Sequence, residues 1–360
     1  NWIASVAEPW LRDPDVTLWH GDCLEVLRSL PAGSVHMCAT SPPFYGLRDY
    51  GTEGQIGLED TPDEWVARLV AVFREVRRVL RDDGTLWVEI GDSYCGSSMN
   101  GGPVSGPLAG TGHRDRGTYF DSKPLRADGC KPKDLLGQPW MLAFALRADG
   151  WYLRSEIIWH KPNPMPESVK DRPTKAHEQI FLLSKSPKYF YDSDAIAERS
   201  AYPGDNRALR TDTRKTLEPF CKDNGSRQRT GNPTGETRNR RSVWTVTPKP
   251  YKEAHFATFP PDLIRPCILA GCPEGGTVLD PFGGSGTTAQ VAIENGRNAV
   301  LIEINGDYIK LAQKRLARLA AISTAAPVAD IATARARRAV PATKHTTELP
   351  LFAALSEGAA

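Results

Sequence analysis

One stretch narrows the folds open to this chain more than any other. Thr277–Leu279 is a short apolar run leading into Asp280-Pro281-Phe282-Gly283-Gly284-Ser285-Gly286-Thr287-Thr288. A helical pattern follows to about Asn295, Gly296 stops it, and Asn298–Ile302 is a second apolar run ending in Glu303. Strand, glycine turn, helix, strand and acid, in that order, make a nucleoside-binding layout. Glycines let the backbone approach a ligand, the helix N-terminus offers unpaired N–H groups, and the acid accepts hydrogen bonds from ribose hydroxyls. Glu303 follows Asp280 at close to the ~20-residue offset expected of such an acid. The string lacks Gly-Lys-Ser/Thr, which excludes a P-loop. Position 289, where a dinucleotide fingerprint carries its third glycine, is Ala, which such folds also accept.

The same alternation runs through the rest of the chain. Val16–His20 is an apolar run ending at Gly21-Asp22. A helical pattern from about Asp22 puts Leu24, Leu27 and Leu30 on one side and stops at Pro31, and Val35–Ala39 is the next strand. Thr61-Pro62-Asp63-Glu64 is a helix start, with Thr as cap, Pro at the first position and Glu closing a capping box. Trp65, Leu69, Val72, Phe73, Val76 and Leu80 then recur at helical spacing, and Gly84 ends the element. Thr85–Ile90, Tyr152–Trp159 and Gln179–Leu183 read as strands and Gln138–Arg147 as a helix. A last helix carries Tyr308, Leu311, Ala312, Leu316 and Leu319 on one face. Such an order predicts a parallel sheet covered on both faces.

Three segments break the pattern. Cys95–Lys133 is rich in Gly, Pro and Ser. Ser193–Arg241 is polar and carries many arginines, among them Arg238, Arg240 and Arg241. After Ala320 the chain is dominated by Ala, Thr and Arg. Long loops inside a compact domain are functional or disordered, and the tail has a disordered composition.

Thr40-Ser41-Pro42-Pro43-Phe44 directly follows the Val35–Ala39 strand. Two prolines fix two φ angles and restrict the residues before them, giving a stiff turn at the carboxyl end of a sheet strand. Ligands of open α/β sheets bind at that end. A rigid carbonyl and the Ser41 hydroxyl can both accept from one amino group, and Phe44 offers a flat face to a base.

Together, Ser41-Pro42-Pro43-Phe44 and Asp280–Thr288 resemble the amino-methylating DNA methyltransferases of bacteria and phages. With the catalytic motif ahead of the cofactor motif, the order is similar to the permuted subgroup called the beta class. Similarity runs from about Val16 to Ala320. The resemblance implies an α/β, Rossmann-like methyltransferase fold with circularly permuted motif order. Its sheet would be mostly parallel and seven-stranded, with one antiparallel edge strand, and would carry a variable target-recognition insert. The catalytic half would span 15–192, with a flexible insert at 95–133, and target recognition 193–243. The cofactor half would span 244–320, and a disordered tail 321–360.

The cofactor implied is S-adenosylmethionine, held by Asp280, Pro281, Phe282, Gly284, Ser285, Gly286 and Thr287. Glu303 would take the ribose, Asp22 would lie near the adenine, and Phe259-Pro260 would lie near the methionine part. Trp159-His160-Lys161-Pro162 resembles a segment beside the extruded base. His177-Glu178 precedes the strand that the family pairs antiparallel at the sheet edge. Lys161, Arg238, Arg240 and Arg241 are the candidate DNA contacts, and no metal is expected.

The chemistry implied is direct methyl transfer to an exocyclic amine of a base flipped out of double-stranded DNA. Ser41 Oγ and the Pro42 carbonyl would orient the amine, and Phe44 would stack on the base. Ser41, where adenine-N6 enzymes mostly carry Asp or Asn, favours N4 of cytosine; adenine N6 is the alternative. Methylation of a ring carbon would need a cysteine beside a proline in the active turn. Cys38, three residues before Ser41, reads instead as packing within its strand.

Composition bounds the remaining readings. With a net charge of +2 the chain has no global basic field, so the argument for DNA rests on where the arginines lie. Seven scattered cysteines contain no CxxC pair, which gives neither a zinc knuckle nor a redox pair. No apolar run reaches membrane-spanning length, and the polar start does not read as a signal peptide, so no membrane partner and a cytoplasmic location are expected. An RNA methyltransferase and a non-catalytic nucleotide- or DNA-binding module are the rivals. The Arg-rich insert speaks against the first and the intact Ser-Pro-Pro-Phe turn against the second. A restriction endonuclease partner and a homodimer are left open. Glu348-Leu349-Pro350-Leu351-Phe352 resembles the peptide by which bacterial DNA enzymes dock on the replication sliding clamp, with Glu where that peptide usually begins with Gln.

Overall fold

A computed structural model describes residues 8–96, 129–200, 237–248 and 259–325. Most of both inserts and the Glu348–Phe352 motif lie outside the described residues.

The N-terminal part contributes β1 (Leu11–Asp13), β2 (Val16–His20), α1 (Cys23–Ser29), β3 (Val35–Thr40), α2 (Pro62–Val79) and β4 (Leu80–Ile90). The middle adds α3 (Gln138–Ala148), β5 (Tyr152–His160), β6 (His177–Ser184), β7 (Glu198–Arg199), β8 (Thr237–Arg238) and β9 (Val243–Thr245). The last part holds α4 (Pro261–Gly271), β10 (Thr277–Asp280), α5 (Thr287–Glu294), β11 (Asn298–Glu303) and α6 (Gly306–Ala325).

The main sheet has nine strands, in the order β1-β2-β11-β10-β3-β4-β6-β5-β9. Two differences from expectation stand out. The sheet has two strands more than seven, because β1 and β9, three residues each, add to its ends and are too short to leave a pattern. The antiparallel β6 lies between β4 and β5 and runs against both, rather than at the edge. Its last six residues are buried, as suits an interior strand. A second antiparallel strand, β1, pairs with β2 at the opposite end.

β10 pairs in parallel with β11 on one side and β3 on the other. The connection through α5 leads from β10 toward β11, and that through α2 leads from β3 toward β4, in the opposite direction. The sheet therefore reverses its winding between β10 and β3, and a crevice opens there at the carboxyl ends of the strands. The glycine loop follows β10 and the Ser-Pro-Pro-Phe turn follows β3, so both motifs meet at this point.

Local signals explain the helices. α2 has the full capping box: the Thr61 side chain accepts from Glu64 N, and the Glu64 side chain accepts from Thr61 N. It buries Trp65, Leu69, Val72, Phe73 and Val76 against Leu86, Val88 and Ile90 of β4 within the largest apolar core. Leu80 does not continue the helix; it opens β4, and Gly84 lies inside that strand. α1, capped by Asp22, buries Cys23, Val26 and Leu27 in the apolar core rather than a Leu24–Leu27–Leu30 stripe. α6 buries Ile309, Ala312, Arg315 and Leu316, with Tyr308 and Leu311 only half-buried.

Candidate active site

A cavity of about 570 Å3 occupies the crevice. Ser41, Pro42, Pro43 and Phe44 line one side, and Pro281, Phe282, Gly284, Ser285 and Thr287 the other. Asp22, Phe259, Glu303, Trp159 and Lys161 complete much of the wall. The remaining expected cofactor residues lie just behind it. Pro260 is the N-cap of α4, and Gly286 caps α5 at φ 82°, where a Cβ would come within 3.1 Å of the Ala312 Cβ.

Asp280 is not a wall residue. It is buried beneath the glycine loop, where it accepts from Thr40 Oγ1 and Thr288 Oγ1, both at 2.6 Å, and from Phe282 N at 3.1 Å. Burial raises its pKa, and the two threonine hydroxyls oppose that rise. It fastens the end of β3 to the start of α5, which fixes the Ser-Pro-Pro-Phe turn against the glycine loop.

Glu303 faces the cavity while accepting from Gly284 N at 2.7 Å and Asn305 N at 2.8 Å. Burial pushes its pKa up to about 7, against the pull of those N–H groups. Each carboxylate oxygen has a second lone pair, so ribose hydroxyls can still be accepted. Asp22 Oδ1 is occupied by the cap of α1, at Leu24 N and Glu25 N. Ser285 Oγ is buried in the cavity wall with no hydrogen-bond partner. An unsatisfied buried hydroxyl is costly unless a ligand completes it. A polar ligand bearing hydroxyls and charged ends, as S-adenosylmethionine is, fits this half of the cavity.

The other half holds a cluster that the sequence reading did not find. Ser41 donates to Glu89, which is buried at the end of β4 and hydrogen-bonded to Glu178 of β6. Burial, then the neighbouring Glu178, raises the pKa of Glu89 well above the carboxylate range. Lys161 Nζ pairs with Glu178 Oε1 at 2.5 Å and lies 4.2 Å from the centre of the Trp159 ring. Antiparallel pairing explains the convergence. It sets Glu178 opposite Trp159, with Glu89 two positions farther along β6 opposite Ile180. His160 and His177 lie outside the cavity wall; the His160 ring lies against Thr245 Oγ1 at 3.1 Å.

The turn itself is braced. Trp65 Nε1 donates to the Pro43 carbonyl at 2.9 Å. Gly91 leaves room for the Phe44 ring, since a Cβ there would come within 2.9 Å of it. Cys38 is fully buried in β3, and burial raises its thiol pKa well above normal, so it has no nucleophilic role.

The candidate DNA contacts divide. Lys161 lies in the cavity. Arg238 and Arg241 both pair with Glu198, at 2.8 and 2.6 Å, and Arg240 covers the Trp244 ring. Arg238 and Arg241 thus brace the short β7–β8 ladder at the neck of the second insert, and Arg240 packs on β9.

Among the described residues there is no His/Cys/Asp/Glu cluster suited to a metal, and no helix is long and apolar enough to cross a membrane.

The sheet, its switch point and the two facing motifs define a Rossmann-like methyltransferase. The family profile described as DNA methylase, of the N6/N4 methyltransferases, matches residues 35–314. The chain belongs to this family, whose cofactor is S-adenosylmethionine. It is 50% identical over 300 residues to the Type II methyltransferase M.XycI of Xanthomonas campestris pv. cyanopsidis, covering 83% of this chain and 87% of that one. With the Type II methyltransferase M.SmaI of Serratia marcescens it shares 45% over 298 residues, 83% and 89% of the two chains. Among solved structures, the PvuII DNA methyltransferase (cytosine-N4-specific) superposes with a TM-score of 0.57 at 18% identity, over 86% of this chain and 88% of that one. That likeness shows the fold.

Proposed function

We propose that this DNA methyltransferase methylates N4 of cytosine in double-stranded DNA, acting on a base turned out of the helix. The observation carrying this reading is the Ser41 hydroxyl in the cavity wall at the switch point, beside the buried Glu89 carboxyl. A hydroxyl carries two lone pairs, so from this wall it can accept an amine N–H. A neutral hydroxyl in this place, rather than a carboxylate, favours cytosine.

S-adenosylmethionine supplies an electrophilic methyl on its sulfonium. Glu303 and Ser285 would hold it, with Gly284 permitting close backbone approach. Ser41 Oγ and the Pro42 carbonyl accept the two N–H groups of the target amine and hold its nitrogen for in-line attack. As a bond would form from that nitrogen to the methyl carbon, the methyl–sulfur bond would break with its electron pair kept by sulfur, so that S-adenosylhomocysteine leaves as a neutral thioether; the positive charge passing to nitrogen is what these acceptors would stabilise. One N–H proton then moves to Ser41 Oγ, whose own proton passes to the Glu89–Glu178 pair. Phe44 and Trp159 offer faces to the base.

The segment 193–243 would read the target sequence through its arginines. The Type II names of the relatives support a place beside a restriction endonuclease in a bacterial cytoplasm. The sliding-clamp contact and a homodimer rest on the sequence alone.

Ser41→Ala tests the reading. Methyl transfer should fall by about a hundredfold or more, in the range seen when an acceptor or donor at the reacting centre is lost. Cofactor affinity, by calorimetric titration, should stay within about twofold of wild type on the same argument. Undiminished turnover would remove the turn from the mechanism.

A further inference from the structure

The loop joining β5 to β6 begins at Lys161 in the cavity wall and returns at Ala176, whose carbonyl accepts from Lys161 N at 2.8 Å. It is firmly braced. Arg172 binds Glu167 at 2.7 Å and lies 3.9 Å from the centre of the Tyr94 ring, and Lys175 donates to the Asp92 carbonyl at 3.1 Å. Its sequence starts Pro162-Asn163-Pro164-Met165-Pro166, so prolines on both sides of Met165 stiffen the backbone there. Met165 is 86% exposed, more than any other large apolar side chain among the described residues. Lys161, Lys170, Arg172 and Lys175 outnumber Glu167 and Asp171 on the same loop, so it keeps a net positive charge beside Met165 even with Arg172 paired to Glu167 and Lys161 to Glu178.

Folding does not account for a large apolar side chain held out in water on so rigid a support. DNA offers an account. When a base leaves its stack, a gap opens, and apolar wedges such as Met, Leu or Phe fill gaps of this kind between base steps. We infer that Met165 is the wedge that enters the duplex beside the target base and holds it open while the base occupies the cavity lined by Trp159 and Lys161. This rests on the proposal that the base is extruded.

The test uses the full-length enzyme and two duplexes carrying its methylation site, located by base-resolution sequencing of DNA from expressing cells. In one the target is normally paired; in the other it faces an abasic sugar, where extrusion is cheap. Met165→Ala should lower kcat/KM on the paired duplex by about tenfold or more and change it less than about threefold on the abasic one, since a wedge matters only where unstacking is costly. Met165→Leu should keep most of the paired rate. Equal loss on both duplexes, or no loss on either, would overturn the wedge. The extrusion reading has its own readout: the wild-type enzyme should bind the abasic duplex more tightly than the paired one. Equal binding would defeat extrusion, and the wedge with it, whatever Met165→Ala does.

Discussion

Glu303 shows how one carboxyl can be tied into the fold and still face the cavity, where the proposed function gives it the ribose. Its folded pKa is about 7, raised by burial above the ordinary glutamate value. Below that pH it is mostly protonated and loses acceptor capacity for ribose hydroxyls; above it, the carboxylate is restored. Cofactor affinity should therefore strengthen as pH rises from about 6 to 8, with a proton released on binding near pH 7. Glu303→Gln should bind more weakly and lose that part of the pH dependence, measured by calorimetry in buffers of different ionisation enthalpy. A wild-type profile in the variant would place the ribose elsewhere. The sign for stability is the reverse of the usual carboxylate case. Because the folded state holds this proton more tightly than the unfolded chain, the group costs stability as pH rises from the ordinary glutamate range through about 7. Removing the carboxylate should lessen that loss.

At the scale of elements, α2 is both a core helix and a brace for the Ser-Pro-Pro-Phe turn. Trp65 is fully buried and its indole N–H holds the Pro43 carbonyl. Trp65→Phe keeps most of the apolar volume and removes that hydrogen bond, at the cost of a small cavity. Methyl transfer should slow by about tenfold through loss of alignment, with cofactor affinity unchanged. Thr61→Ala, at the start of the same helix, should cost ~1 kcal/mol in chemical denaturation and leave turnover intact. If both variants slowed turnover in proportion to lost stability, Trp65 would be a packing residue only. The capping box and the apolar stripe of α2 were legible because helix signals are local. The same was true of the glycine loop and of the Ser-Pro-Pro-Phe turn, each a run of adjacent residues. Glu89 was not legible, and Glu178 was legible only as preceding the antiparallel strand, not as its partner. Each is one acid in an apolar strand, and their meeting depends on β6 lying inside the sheet, which no local pattern states. Asp280 was legible as part of a motif, but its burial under the loop, tied to Thr40, depends on the pairing of β10 with β3.

At the scale of the whole molecule, the sheet joins two stretches far apart in sequence. The catalytic turn near the start and the cofactor loop near the end become neighbours because β3 and β10 are adjacent strands. The second insert leaves and re-enters through the β7–β8 ladder, and β9, just beyond it, pairs with β5 beside the cavity. On the proposed reading of this insert, recognition could therefore be exchanged while the chemistry stays in place. Replacing residues 201–236 with the matching segment of a relative that methylates a different site should redirect methylation to that site and leave the methylated atom unchanged. An unaltered site would remove recognition from this segment. The central claim, a Ser41-centred transfer to N4 of cytosine, is tested most directly by nucleoside mass spectrometry. The DNA would come from otherwise methylation-free bacteria expressing the wild-type protein or Ser41→Ala. The account predicts N4-methylcytosine with the wild type, no N6-methyladenine, and little of either with the variant. N6-methyladenine as the product, or N4-methylcytosine undiminished by Ser41→Ala, would contradict it.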